Sequence, residues 1–246
     1  MFTSEINKFI KERNYPTFEP KAIFFDMDGV LYDSMKSHAS SWVKALLKVG
    51  LPFTELEAYM NEGRTGASTI DGVFLKIHGR HATEDEKQTI YHLKSSYFEL
   101  CGKPDIMPFA LELLEKVKAQ NLGIYMVTGS GQPTLLDSLE LSFPGMFQKD
   151  NMVTAYDVKQ GKPHPEPYLM ALKKSGLQPW EVAVIENAPL GVESASAAGL
   201  FTIAVNTGPL DPTVLSDSGA QIVLDDVKKL FEKWDILSTN FLNTSN

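Results

Sequence analysis

A single cysteine, Cys101, excludes any intrachain disulfide, and the expectation is a small buried residue in a chain of a reducing, cytoplasmic compartment. Positive charge is also short: 23 Lys and Arg stand against 31 Asp and Glu, a formal net charge of -8. That balance argues against a general nucleic-acid surface and leaves room only for a local cationic pocket. No stretch reaches the roughly 18 uninterrupted apolar residues of a membrane span, so no membrane partner is expected. Five histidines are present, and His78, His81, His92 and His164 show no metal-ligand clustering. The first 14 residues place Ile6, Phe9 and Ile10 among charged neighbours, an amphipathic helix without a signal-peptide core. At 246 residues the chain is long enough for one large domain or a core carrying a smaller insertion, and the expectation is a monomer.

What is present is concentrated at four points. Ala22-Ile23-Phe24-Phe25 is a short apolar run suited to a buried parallel strand, and it runs directly into Asp26-Met27-Asp28-Gly29. Open α/β sheets carry their sites at the carboxyl ends of strands, where Asp26 would stand. A carboxylate there can attack phosphorus, and a second one, Asp28, can protonate the leaving oxygen and later deprotonate water. The same four residues also suit a plain polar turn. Thr128-Gly129-Ser130 follows the predicted strand Leu122 to Val127, where a hydroxyl and glycine-turn amides can hold phosphate oxygens; alone it is an ordinary turn. Lys162 precedes a helix begun by proline, where a fixed ammonium can neutralise a transferring phosphoryl group, although an isolated lysine is usually solvated. The fourth point is Val184-Ile185-Glu186-Asn187, with Glu186 or Asn187 able to help hold a metal; a helix cap is the alternative.

Between these points the pattern changes period. From about residue 36 to 104 it is helical throughout, with breaks at Gly50 to Pro52, Gly63 to Gly66 and Gly79 to Thr83. Helix and strand signals then alternate: a helix to Asn121, a helix from Pro133, a strand near Met152 to Thr154, and strands at Val182 to Ile185, Phe201 to Val205 and Ile222 to Leu224. A closing helix places Val227, Leu230, Phe231 and Trp234 on one face. The expected fold is α/β, a Rossmann-like doubly wound, mostly parallel sheet core with an inserted all-helical domain. Residues 1–35 and 105–246 make up the core, and residues 36–104 the insertion.

In order and spacing the four points resemble the haloacid dehalogenase superfamily, in its phosphatase and phosphomutase branch with a helical cap inserted after the first strand. The resemblance implies Asp26 as nucleophile, Asp28 as general acid/base, and Thr128 and Lys162 as phosphate binders. It also implies Mg²⁺ held by Asp26, the Asp28 carbonyl and Asn187. The family usually has Asp at the position of Asn187, so this metal site loses a formal charge while keeping an oxygen donor.

The cap segment Asn61-Glu62-Gly63-Arg64-Thr65-Gly66 stands where this cap type presents its specificity loop. Arg64 can bind the far phosphate of a small substrate, and Glu62 can reach the metal on cap closure; both also suit solvated loop charges. The chain resembles the β-phosphoglucomutase-like branch, and His38 takes the place of its cap-hinge histidine, a position equally open to a packing role. Thr65 and Thr69 replace a lysine and an arginine of the mutases. Glu62, Arg64 and Asn187 together resemble members that hydrolyse inorganic pyrophosphate. The expectation is therefore a Mg²⁺-dependent phosphohydrolase favouring pyrophosphate, then small phosphomonoesters. A β-phosphoglucomutase is the alternative and a non-catalytic phosphate sensor the minor one.

Overall fold

The computed structural model describes residues 2–131 and 138–242. The central sheet follows from six apolar runs: β1 (Ala22–Phe25), β2 (Gly123–Val127), β3 (Met152–Val153), β4 (Val182–Glu186), β5 (Phe201–Val205) and β6 (Ile222–Leu224). All pair in parallel, in the order β3-β2-β1-β4-β5-β6. The chain builds outward from β1 to β3, then returns to the other side of β1 with β4, so the strand order reverses beside β1. Such a reversal opens a crevice at the carboxyl ends of the flanking strands. Phe25 lies level with Met126 on β2 and with Ile185 on β4, which brings Asp26, Val127 and Glu186 to one level of that edge.

Both faces of the sheet are covered, which is why its strands are continuously apolar rather than alternating with polar residues. Ile23, Phe25, Ala183, Ile185, Phe201 and Ile203 point into one layer; Ala22, Phe24, Val182 and Val184 point into the other. The first layer is closed by α1 (Thr3–Arg13) and the final helix, Val227–Leu242. Phe9 meets Phe201 edge-on at 5.2 Å, while Val227, Leu230 and Trp234 are buried as the helical spacing requires and Phe231 packs at the margin.

Between β1 and the helix α6 (Ala110–Ala119), the chain forms α2 (Met35–Lys48), α3 (Glu55–Met60), α4 (Gly66–His78) and α5 (Glu84–Glu99), with no strand among them. Thr54 and Thr83 start α3 and α5 with reciprocal capping boxes to Glu57 and Glu86, and Gly79 ends α4 in the left-handed region at φ 66°. These helices bury their own core around Trp42, Leu46, Ile70, Phe74 and Ile90. Among the described residues the remaining α-helices are α7 (Leu139–Ser142), α8 (Glu166–Ser175), α9 (Pro189–Ala197), α10 (Pro212–Asp217) and the final helix, α11. The expected helix from Pro133 begins outside the described residues.

Cys101 departs from expectation. It is exposed in the turn that leaves α5, where Gly102 takes φ 81°, so the chain is reversing direction rather than packing. Among the described residues no helix is long and apolar enough to cross a membrane.

Phe24 has no exposed surface at the centre of the sheet, whereas Leu100 is 82% exposed. Phe24→Ala should cost about 3–5 kcal/mol and Leu100→Ala no more than about 0.5 kcal/mol. Urea unfolding midpoints check the contrast, and equal midpoints for the two variants would contradict it.

Candidate active site

Lys162 organises the carboxyl edge of the sheet. Its ammonium donates to Asp26 Oδ1 at 2.6 Å, to the Val127 carbonyl at 3.0 Å and to Glu186 Oε1 at 2.6 Å, and the residue is 1% exposed. One side chain therefore joins the ends of β1, β2 and β4. Thr128 lies next to Val127 and is buried; its hydroxyl oxygen accepts the Ser130 amide at 3.0 Å, curling Gly129 and Ser130 over the site. The expected group Asp26, Thr128 and Lys162 is thus gathered at one place.

Glu186 has a different occupation from the one expected. Oε1 accepts from Lys162 and, at 2.9 Å, from the Tyr168 hydroxyl, while Oε2 accepts the amides of Asn187 and Ala188 at 2.9 and 3.2 Å. With both oxygens committed, Glu186 holds Lys162 in place and is removed from the set of candidate metal ligands.

Asn187 fits that set. Its Oδ1 is buried without a hydrogen-bond partner among the described residues, which is costly unless something else satisfies it. Its seat depends on Gly29, at φ 85°, because a Cβ there would fall 2.0 Å from the Asn187 amide nitrogen. Among the described residues no three His, Cys, Asp or Glu side chains form a metal cluster, so a metal here requires the amide and main-chain oxygens as well as Asp26. Oxygen donors of this kind suit Mg²⁺. Charge points the same way: burial pushes the Asp26 carboxyl well up, Lys162 offsets this in part, and Glu186 and Asp28 push it further up. A bound cation would favour the ionised form that a nucleophile needs.

Asp28 belongs to a second, adjoining network. Its Oδ1 accepts the Ser34 hydroxyl at 2.6 Å and lies 3.1 Å from His38 Nε2. His38 Nδ1 in turn lies 2.9 Å from Lys94 Nζ. An ammonium can only donate, so His38 Nδ1 accepts and Nε2 carries the proton toward Asp28. Burial alone would raise the Asp28 carboxyl, but attraction to His38, the His38 and Ser34 hydrogen bonds, and Lys94 together hold it below its ordinary value. Burial draws Lys94 itself down to about 8, against the pull of Glu62 and Asp28.

Ser34, Lys94 and Tyr168 were not foreseen as site residues. For Lys94 a signal existed: Ile90, Lys94 and Phe98 form the buried stripe of α5, so a lysine occupies an apolar position. Its ammonium lies 5.6 Å from the Trp42 ring centre and 4.8 Å from that of Phe98.

The helical segment closes over this edge. A Cβ on Gly63 would meet the Lys162 side chain at 3.0 Å, one on Gly129 would meet the Gly63 carbonyl at 2.3 Å, and one on Gly161 would meet Thr65 at 2.8 Å. At this contact lies a partly open cavity of about 30 Å³ lined by Asp28, His38, Glu62, Arg64, Lys94 and Ser130, among others. Arg64 donates to Ser68 at 3.3 Å, but its buried Nε has no partner among the described residues. Glu62 is half-buried, and burial raises its carboxyl, moderated first by His38. Neither residue is the solvated loop charge that the sequence alone permits.

Hexitol phosphatase A of Escherichia coli is 29% identical to the chain over 85% of it and 93% of the relative. Beta-phosphoglucomutase of Bacillus subtilis is 28% identical over 87% and 96%. A solved structure from Bacteroides vulgatus, provisionally described as a beta-phosphoglucomutase, is 50% identical, covers 98% of each chain and superposes with a TM-score of 0.94. The sequence of residues 20–199 matches the haloacid dehalogenase-like hydrolases. With strand-end carboxylates, a buried lysine and a helical segment closed over them, the chain belongs to the haloacid dehalogenase-like hydrolase family.

Proposed function

We propose that the protein is a Mg²⁺-dependent phosphohydrolase working through an aspartyl-phosphate intermediate. Its first substrate is inorganic pyrophosphate, with small phosphomonoesters behind it. Residues 36–104 act as the cap, and residues 1–35 and 105–246 as the core. The observation that supports this reading is the lining of the cavity beside Asp28, where Arg64, Lys94 and His38 stand together with Glu62. So cationic a wall suits a compact, highly charged anion.

The residues divide the work. The Asp26 carboxylate forms a bond to phosphorus as the bond to the leaving oxygen breaks; Lys162, Thr128 and the Gly129–Ser130 turn hold the transferring oxygens. Asp28 can give a proton to the leaving oxygen, then take one from the water that attacks the aspartyl phosphate and releases inorganic phosphate. Arg64 binds the far phosphate. Asp26, the Asp28 carbonyl and Asn187 would hold Mg²⁺, which supplies charge neutralisation when bound. Glu62 is proposed to complete that set, because the contact of Gly63 with Lys162 brings its turn against the core.

The second reading, a sugar-phosphate phosphatase or phosphomutase, is favoured by the descriptions of the E. coli and B. subtilis relatives. A phosphate sensor is disfavoured by the intact contact of Lys162 with Asp26 and by the network that orients Asp28.

Phosphate release from pyrophosphate should exceed release from hexitol and hexose phosphates, and should disappear in Asp26→Asn. Faster conversion of β-glucose 1-phosphate to glucose 6-phosphate, with catalytic bisphosphate present, would reverse the order of the two readings. Glu62→Ala should lower kcat and shift the magnesium titration to higher concentration. An unchanged titration would return Glu62 to a purely electrostatic role. Lys94 loses its proton as pH rises through about 8, and the positive charge behind His38 goes with it. Wild-type kcat should therefore fall on that limb, whereas Lys94→Met should lack the limb and start on the order of 10- to 100-fold lower. A pH–rate profile unaltered in Lys94→Met would exclude this role.

A further inference from the structure

Gly29 makes room for Asn187 at a cost in backbone order. A residue at φ 85° with no side chain is the one least held by sterics, so the glycine that Asn187 requires also frees the backbone that follows Asp28. That backbone matters, because the Asp28 carbonyl is the main-chain oxygen proposed above for Mg²⁺. Two hydrogen bonds restrain it. The Gly29 amide donates to the Tyr32 carbonyl at 2.8 Å, and the Gly29 carbonyl accepts the Thr207 hydroxyl at 2.7 Å. The first is local to the loop after β1, whereas the second comes from the end of β5, 178 residues away.

The peptide geometry links these bonds to the cation site. The Asp28–Gly29 peptide is trans and planar, so the Gly29 N–H that points at Tyr32 sends the Asp28 carbonyl the opposite way. Holding both peptide planes that meet at Gly29 leaves its φ and ψ no room to drift. Thr207 is itself firmly placed. The Asn206 amide donates to the Leu224 carbonyl of β6 at 2.8 Å, the Asn206 side-chain amide closes the turn on the Leu210 carbonyl at 2.8 Å, and the Thr207 amide donates to the Val205 carbonyl at 2.9 Å. Gly208 lies against the helical segment: a Cβ there would meet the Tyr59 ring at 3.0 Å, and the Tyr59 carbonyl accepts the Glu62 amide at 3.3 Å. One short loop thus braces the Asp28–Gly29 backbone and abuts the helix, α3, that leads to Glu62.

We propose that Thr207 is a positioning residue for the Mg²⁺ site, its hydroxyl holding Gly29 so that the Asp28 carbonyl keeps one direction. The inference rests on the Mg²⁺ site of the phosphohydrolase reading above and on no choice of substrate. Mg²⁺ demands near-octahedral oxygen donors at short distances, so a carbonyl free to swing weakens its site. Groups that orient metal ligands without touching the metal are part of such sites. A valine at position 207 keeps the shape of threonine and lacks the hydroxyl, which leaves the Gly29 carbonyl without this donor, whereas a serine keeps it.

The test measures Mg²⁺ binding to the metal-free protein by isothermal titration calorimetry, without substrate, in wild type, Thr207→Val, Thr207→Ser and Thr207→Ala. Thr207→Val should weaken binding by roughly 10- to 100-fold, the range over which groups that orient metal ligands commonly act. Thr207→Ser should bind as wild type does. Thr207→Ala removes the hydroxyl without a β-branch and decides the question where the valine variant does not fold. Melting temperatures in EDTA accompany each titration. A hydroxyl that only staples the loop would lower the melting temperature in EDTA and leave the Mg²⁺ dissociation constant of the folded variants unchanged, which would overturn the proposal. A serine variant that binds as weakly as the valine one would overturn it too, because the hydroxyl would not be the group responsible. Pyrophosphate turnover judges the substrate assignment separately: a protein that binds Mg²⁺ and releases no phosphate from pyrophosphate loses that substrate, while the titration still decides Thr207. A wild type that binds no Mg²⁺ overturns the metal site and the role of Thr207 together.

Discussion

The ion pair of Lys162 with Asp26 and Glu186 is the constraint on which the site depends. Three strands end at this point, and their register alone would leave two carboxylates facing each other in a space with almost no solvent. Burying either charge unpaired would cost several kcal/mol. Lys162 relieves both, and the Tyr168 hydroxyl with the Asn187 and Ala188 amides completes the shell of Glu186. Glu186 lies in turn against α9, since a Cβ on Gly191 would fall 1.9 Å from its carboxylate oxygen. The arrangement fixes the ammonium within reach of Asp26 before any substrate arrives, which is the condition for electrostatic stabilisation of a developing phosphoryl charge.

The second network, unlike the first, joins the core edge to the helical segment. Asp28 and Ser34 belong to the segment that follows β1, whereas His38 and Lys94 sit on α2 and α5. Movement of the helical segment would therefore alter the hydrogen bond to Asp28 while leaving the Lys162 network intact. In the proposed mechanism, closure would bring the acid/base group into register, expel water and assemble the chamber walls in one event. The bare backbone at Gly63, Gly129 and Gly161 makes this close approach sterically open.

Much of the fold was legible because it is local. An apolar run of strand length ending in Asp-x-Asp-Gly needs no distant contact to be recognised, and β1, β5 and β6 lie where their composition places them. The same holds for the capped helices between Met35 and Glu99. What escaped the sequence depends on partners that only the fold selects. Glu186 stands at a strand end, as Asp26 does, and nothing in the linear order says that Lys162 and Tyr168 will occupy one of its oxygens. Lys94 is separated from His38 by 56 residues, so its charge gained meaning only when α2 and α5 packed together. Cys101 was misplaced for a related reason: residue type favours burial, but the turn leaving α5 overrode it.

Asn187 ties these observations together. An aspartate there would add a further negative charge beside Asp26, Asp28 and Glu186, with Lys162 as the near cation. The amide avoids that charge and keeps the oxygen, but leaves the core weaker as a cation site. A carboxylate delivered from the cap would restore the missing charge only on closure, and Glu62 is the cap carboxylate that lines the chamber with Asp28. In such an arrangement metal affinity, cap position and acid/base readiness become one equilibrium. A small anion that draws Arg64 and its neighbours inward would then strengthen the cation site as it binds, because closure is shared between the two events. A larger ester that kept the cap partly open would forgo that coupling, so in the proposed reading selection for small substrates would rest on the metal site as well as on the walls.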